Sequence, residues 1–161
     1  MIIVVPSIPH TGTMFVYHEI LKEIPQEIRN PKKGPGKIQI HIYQDRMDEL
    51  YSLSAYPWIV PLRHPEKVAI TWKSREKDLA ELREFWWRLL DLVDSFEPHY
   101  LSIDAPNRNA QLAKINESIG LNAQTDWPIV ASHGLSATLT SAERSHFVMP
   151  FVGFYEDRCA V

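Results

Sequence analysis

The chain has 161 residues, of which 45% are apolar and 23% charged, and its formal net charge is −3. That length and balance fit one globular domain able to bury a core, and they exclude a disordered charged tail or a protein whose overall charge recruits nucleic acid. The single cysteine, Cys159, excludes an internal disulfide. The apolar start is stopped by Pro6 and no apolar run reaches the length of a membrane span, so a cytoplasmic protein with no membrane partner is expected.

Ile2 to Val5 is a short β-branched run, the pattern of a strand buried on both faces. Apolar positions from Gly12 to Ile24 recur at helical spacing, and Pro25 ends them. "NPKKGPG" (30–36) reads as loop. "KIQIHIY" (37–43) alternates and predicts a half-buried strand. Arg46 to Leu53 is a candidate short helix, and "YPWIVPL" (56–62) a second buried strand. From Pro65 to about Val93 one helical pattern is expected, with an irregularity near Trp72. A strand at "HYLSI" (99–103) and a helix at 107–120, closed by Gly120, follow. Beyond Leu121 the periodicity decays. The segment from about 122 is expected to be irregular, with "FVMPFVGFY" (147–155) either a last strand or an apolar cover on the sheet. The alternation of strands and helices predicts a single α/β domain over 1–161 with a mainly parallel sheet.

In such sheets ligands sit beyond the carboxyl ends of the strands, and a strand–loop–helix junction offers unpaired N–H groups to an anion. The loop "PSIPHTGT" (6–13) is such a junction. Gly12 allows close backbone approach, and Thr11 and Thr13 add hydroxyls. The ATPase and GTPase loop G-x-x-x-x-G-K-[ST] is not met, because the residue after Gly12 is Thr13 and the earlier glycine is missing. Arg63 closes the third predicted strand, and Thr71 lies eight residues on in a helix, an arrangement able to clamp a second phosphate. A simple capped turn and a surface ion pair are the plainer readings of the same residues.

Taken together, these stretches resemble the sulfotransferases that use 3′-phosphoadenosine 5′-phosphosulfate (PAPS). "PHTGTMF" (9–15) is similar to the family's P-K-S-G-T-T-W loop, and "RHPEKVAIT" (63–71) to its R-[ND]-P motif with a hydroxyl eight residues after the arginine. "IQIH" (38–41) is similar to a strand ending in K-T-H, and 101–121 to a later strand and helix, so the resemblance covers roughly residues 1 to 121. It implies a three-layer, P-loop NTPase-like fold and sulfuryl transfer from PAPS to a hydroxyl or amine on a small-molecule or glycan acceptor, leaving PAP. It implies nucleotide contacts from Thr11, Gly12, Thr13, Met14, Arg63 and Thr71. It also implies a base at His41 and a leaving-group donor at His10, where the family carries lysine. The late glycine-rich basic segment of that family is not recognisable in 122–161.

No metal is expected, since His18, His64, His99, His133 and His146 lack ligand spacing. Trp58, Trp72, Trp86 and Trp87 are expected to pack rather than stack on a base. Two other functions stay open at this point: a nucleotide-binding or interaction module without turnover, and an ATP-dependent small-molecule kinase with Asp104 as its metal acid. The apolar tail is a candidate contact in a homo-oligomer.

Overall fold

A computed structural model describes residues 2–22, 36–42, 44–127 and 137–159. Strand β1 (Ile2–Ser7) pairs in parallel with β2 (Gly36–His41), in a register that sets Val4 against Ile38 and Ser7 against His41. Strand β3 (Ile59–Leu62) pairs in parallel with β4 (His99–Ser102), with Val60 against Tyr100. The two pairs lie side by side. A parallel bridge joins Val4 to Trp58, and Val4 N donates to Pro57 O at 2.9 Å, giving the spatial order β2–β1–β3–β4. The protein is thus α/β with parallel strands, and among the described residues no helix is long and apolar enough to cross a membrane.

Continuous apolar runs form these strands because both faces are covered. Successive residues of β1 point to opposite sides: Val4 enters one apolar cluster, while Ile3 and Val5 enter another. The smaller cluster takes in Val16, Ile20 and Leu21, from the helical turns after β1, with Leu112 and Ile115 of α5 (Arg108–Ile119). Those first turns comprise α1 (Thr13–Phe15), continued by a wider π turn over Val16–Ile20. The larger cluster takes in α2 (Met47–Ser52), α3 (Pro65–Ser74), α4 (Leu79–Asp94) and α7 (Met149–Cys159).

The helical pattern over 65–93, expected with an irregularity near Trp72, is two helices broken just after that residue. Arg75 N bonds back to Thr71 O and Trp72 O, Glu76 takes a left-handed φ of 56°, and the Asp78 side chain caps α4 by accepting from Ala80 N at 2.9 Å. An aspartate placed to satisfy orphan N–H groups starts a new helix more readily than it continues an old one. The tail needs a second correction. It is helical over α6 (Ser141–Phe147) and α7 rather than irregular, and of the two readings of 147–155 the strand is absent while the apolar cover is present, as a helix packed into the larger cluster. Pro150 stands in the first turn of α7, where its missing N–H costs nothing, and Phe151, Tyr155 and Cys159 make one buried stripe at spacings of four.

Helix α6 opens with a capping box between Thr140 and Glu143 and lies across α3. Lys73 Nζ reaches Glu143 Oε1 at 2.6 Å and Thr138 O at 2.8 Å, and Arg144 Nη2 reaches Glu66 Oε1 at 2.6 Å. Trp58, Trp72 and Trp86 are core residues, as expected, whereas Trp87 is 41% exposed.

Candidate functional site

Three loops meet beyond the carboxyl ends of β1, β3 and β4. β2 and β3 flank β1 on opposite sides, so this edge has the position at which open α/β sheets bind ligands.

The loop after β1 is held from within. Thr11 Oγ1, fully buried, donates to Ile8 O at 2.7 Å, and Trp72 Nε1 donates across from α3 to Pro9 O at 3.1 Å. His10 adopts φ 71°, left-handed backbone that costs a non-glycine residue about 1 kcal/mol, and its ring stands edge-on to Trp72 at 6.5 Å. Gly12 has φ 100°, and a Cβ there would lie 2.5 Å from Ile103 Cγ2, so only glycine lets this loop close onto the turn after β4. Thr13 begins the helix with its hydroxyl buried and without a hydrogen-bond partner, while Met14 is 57% exposed.

After β3, Arg63 Nη1 donates to Thr71 Oγ1 at 3.3 Å, and Thr71 Oγ1 donates to Lys67 O at 2.9 Å. The eight-residue spacing therefore does bring the guanidinium and the hydroxyl together. Arg63 Nε is buried and has no partner. His64 caps α3, its Nδ1 accepting from Glu66 N at 3.2 Å, which places the ring proton of the neutral form on Nε2. His41 ends β2 opposite Ser7, and Ile42 N donates to Ser7 O at 3.0 Å, so its backbone stands at the same edge; its side chain lies outside the described part.

No protein-family model, curated protein or solved structure matches this chain. What can be said of the edge rests on its own chemistry.

The residue that sequence reasoning passed over is Asp104. Its Oδ1 accepts from Tyr155 OH at 2.8 Å and Ser102 Oγ at 2.9 Å; its Oδ2 accepts from His64 N at 3.3 Å and pairs with Lys67 Nζ at 3.3 Å. Burial raises the carboxyl's pKa, but the hydrogen bonds from Tyr155, Ser102 and the His64 backbone, with the Lys67 charge, outweigh it and hold Asp104 below the ordinary carboxylate range. The same burial and the same carboxylate push the Tyr155 phenol well above its ordinary value. An acid directly after "LSI" was the available signal, and it was read only as a metal acid. In this structure Asp104 holds a fixed anion at the start of α3, and among the described residues no cluster of His, Cys, Asp or Glu is placed for a metal.

Arg108 fixes the same turn from below. It is 3% exposed, Nη1 donates to Ile103 O at 2.8 Å and Nη2 to Trp127 O, and burial lowers its pKa. The Ile103 turn that meets Gly12 is thereby tied to the segment after α5.

Proposed function

We propose that this edge is a nucleotide site of the PAPS-sulfotransferase type, built on a three-layer, P-loop NTPase-like fold. The backbone from Thr11 to Met14 faces the 5′-phosphate end of the nucleotide, and Arg63 with Thr71 takes the 3′-phosphate. Supporting the reading above all is Arg63: it stands at a strand end beside a polar hydroxyl, yet its Nε is buried with no partner. A buried donor left unmade costs about 1–3 kcal/mol, more for a charged group, which an arriving phosphate would remove. In the transfer, the acceptor oxygen or nitrogen attacks sulfur, the bond from sulfur to the phosphate oxygen breaks, His41 takes the acceptor's proton, and PAP leaves with the electron pair. His10 stands where a donor to that leaving oxygen belongs.

A second reading is a binding module without turnover. Two observations favour it: Thr11's hydroxyl is already engaged within the loop, and the lysine position holds a histidine set against Trp72.

Calorimetric titration with PAP, AMP and ATP, with and without Mg²⁺, tests both. The expected result is Mg²⁺-independent binding of PAP in preference to AMP, with Arg63→Ala weakening PAP about tenfold and AMP hardly at all. Equal losses for both nucleotides would assign Arg63 to the fold. PAP binding with no turnover on any acceptor would favour the module, and binding of ATP only with Mg²⁺ would replace both readings with a kinase.

A further inference from the structure

A second polar feature lies away from this edge, along the outer side of β4. The N–H groups of His99, at the start of β4, and Ile103, just past its end, face β3, since His99 N donates to Trp58 O and Ile103 N to Leu62 O. The alternation of a parallel ladder therefore turns the N–H of Tyr100 and Ser102 outward. Ser102 N is covered: it donates to Gln111 Oε1 at 2.9 Å, and Gln111 Nε2 donates in turn to Arg158 O at 3.1 Å. Tyr100 N–H has no such cover among the described residues.

Beside it is a cavity of about 130 Å³ between β4, α5 and α7, lined by His99, Tyr100, Gln111, Lys114 and Arg158 among others, with no acidic side chain in its wall. The Arg158 guanidinium is fixed in advance: it stacks over Phe154 at 3.9 Å and Tyr100 at 5.0 Å, and Nη1 donates to Phe154 O at 3.1 Å. Its Nε is buried without a partner. Lys114 is exposed, and among the described residues no carboxylate pairs with it. On a chain of net charge −3, this wall gathers cations that no carboxylate among the described residues pairs with.

We infer that the cavity beside Tyr100 is a binding site for a small phosphoryl anion, held by Lys114, Arg158 and the outward Tyr100 N–H, with His99 at its floor. A guanidinium held planar by stacking matches a phosphoryl group's oxygens, a lysine supplies a point charge, and a backbone N–H adds direction. A cavity of this size holds a phosphate group and the first atoms of whatever carries it, so two sources share the chemistry: inorganic phosphate and a small phosphate monoester. The site is independent of the nucleotide edge, which lies at the other end of the strands.

The test is a titration of the full chain followed by amide NMR, at constant ionic strength, with inorganic phosphate in one arm and methyl phosphate in the other. Saturable movement of the Tyr100 amide is expected in at least one arm, and the tighter arm identifies the source. Lys114→Gln should weaken binding at least about fivefold, and Arg158→Lys, which keeps the charge but loses the planar fork, by a similar factor. Lys22→Gln, the same charge change on an exposed lysine outside the cavity wall, should leave it unaltered. Shifts that never saturate, or a Lys114→Gln protein that binds as tightly as the parent, would overturn the site. Lys114 is exposed, so its loss does not threaten folding.

Discussion

The two ends of β4 solve opposite problems with similar residues. At the carboxyl end a single anion, Asp104, is surrounded by donors from β4, α3 and α7, and its side chain is only 9% exposed. At the amino end cations line a cavity whose wall carries no anion. A carboxylate met on every side by hydrogen bonds is a structural fastener, because each of its partners was drawn from the chain itself. Cations that no described carboxylate pairs with are open to an anion from outside the chain, as the proposed site requires. The contrast is between a closed circuit and an open one, and residue type alone does not distinguish them.

The largest expected effect breaks the closed circuit. Asp104→Ala leaves the Tyr155 and Ser102 hydroxyls and the His64 N–H without their acceptor, and should destabilise the protein by about 3 kcal/mol in urea unfolding at pH 7. The same circuit predicts a pH dependence. The folded carboxyl titrates below its unfolded value, so its contribution is present above the ordinary carboxylate pKa, near about 4, and is lost as pH falls through the lower folded value. Asp104→Asn should therefore flatten part of the acid limb of the stability profile; an unchanged limb would remove Asp104 as its source. Next comes Tyr155→Phe, which deletes one donor and leaves the ring packed, with an expected loss of about 1 kcal/mol. Smallest is Lys114→Gln, which should alter stability by less than about 0.5 kcal/mol while affecting phosphate binding as stated above. A fastener weakens folding when cut, whereas an open site weakens only its ligand.

Much of the scaffold was legible because burial imposes period. The apolar runs at 2–5 and 59–62 lie in buried parallel strands, the strand at 99–102 is also present, and Leu79, Leu82, Trp86, Leu89 and Val93 make a buried stripe of α4. The break at 75–78 was harder to see, because Asp78 reads as one more solvent-facing charge until its capping bond to Ala80 N is known. The tail was legible as an apolar cover but not as a helix. Its aromatic and β-branched residues favour a strand on composition, whereas Phe151, Tyr155 and Cys159 are ordered by a four-residue spacing. At the site, the pairing of Arg63 with Thr71 was legible because an arginine at the strand end stands just before α3, whose second turn carries Thr71. The hub at Asp104 was not, since Tyr155 reaches it from 51 residues away and no local pattern records such a meeting.

Helix α6 carries a last consequence. Glu143 and Arg144 are neighbours in sequence, yet they grip Lys73 and Glu66, which stand seven residues apart on α3 and carry opposite signs. Two adjacent side chains can reach such separated, oppositely charged posts in one orientation only, since turning α6 end for end would set like charges face to face. The pairs are partly exposed and add little to stability, so what they fix is polarity: they work as a key that admits the helix one way round, while Phe151 and Tyr155 anchor α7 in the core. Salt would blur the key without lifting α7 from the core.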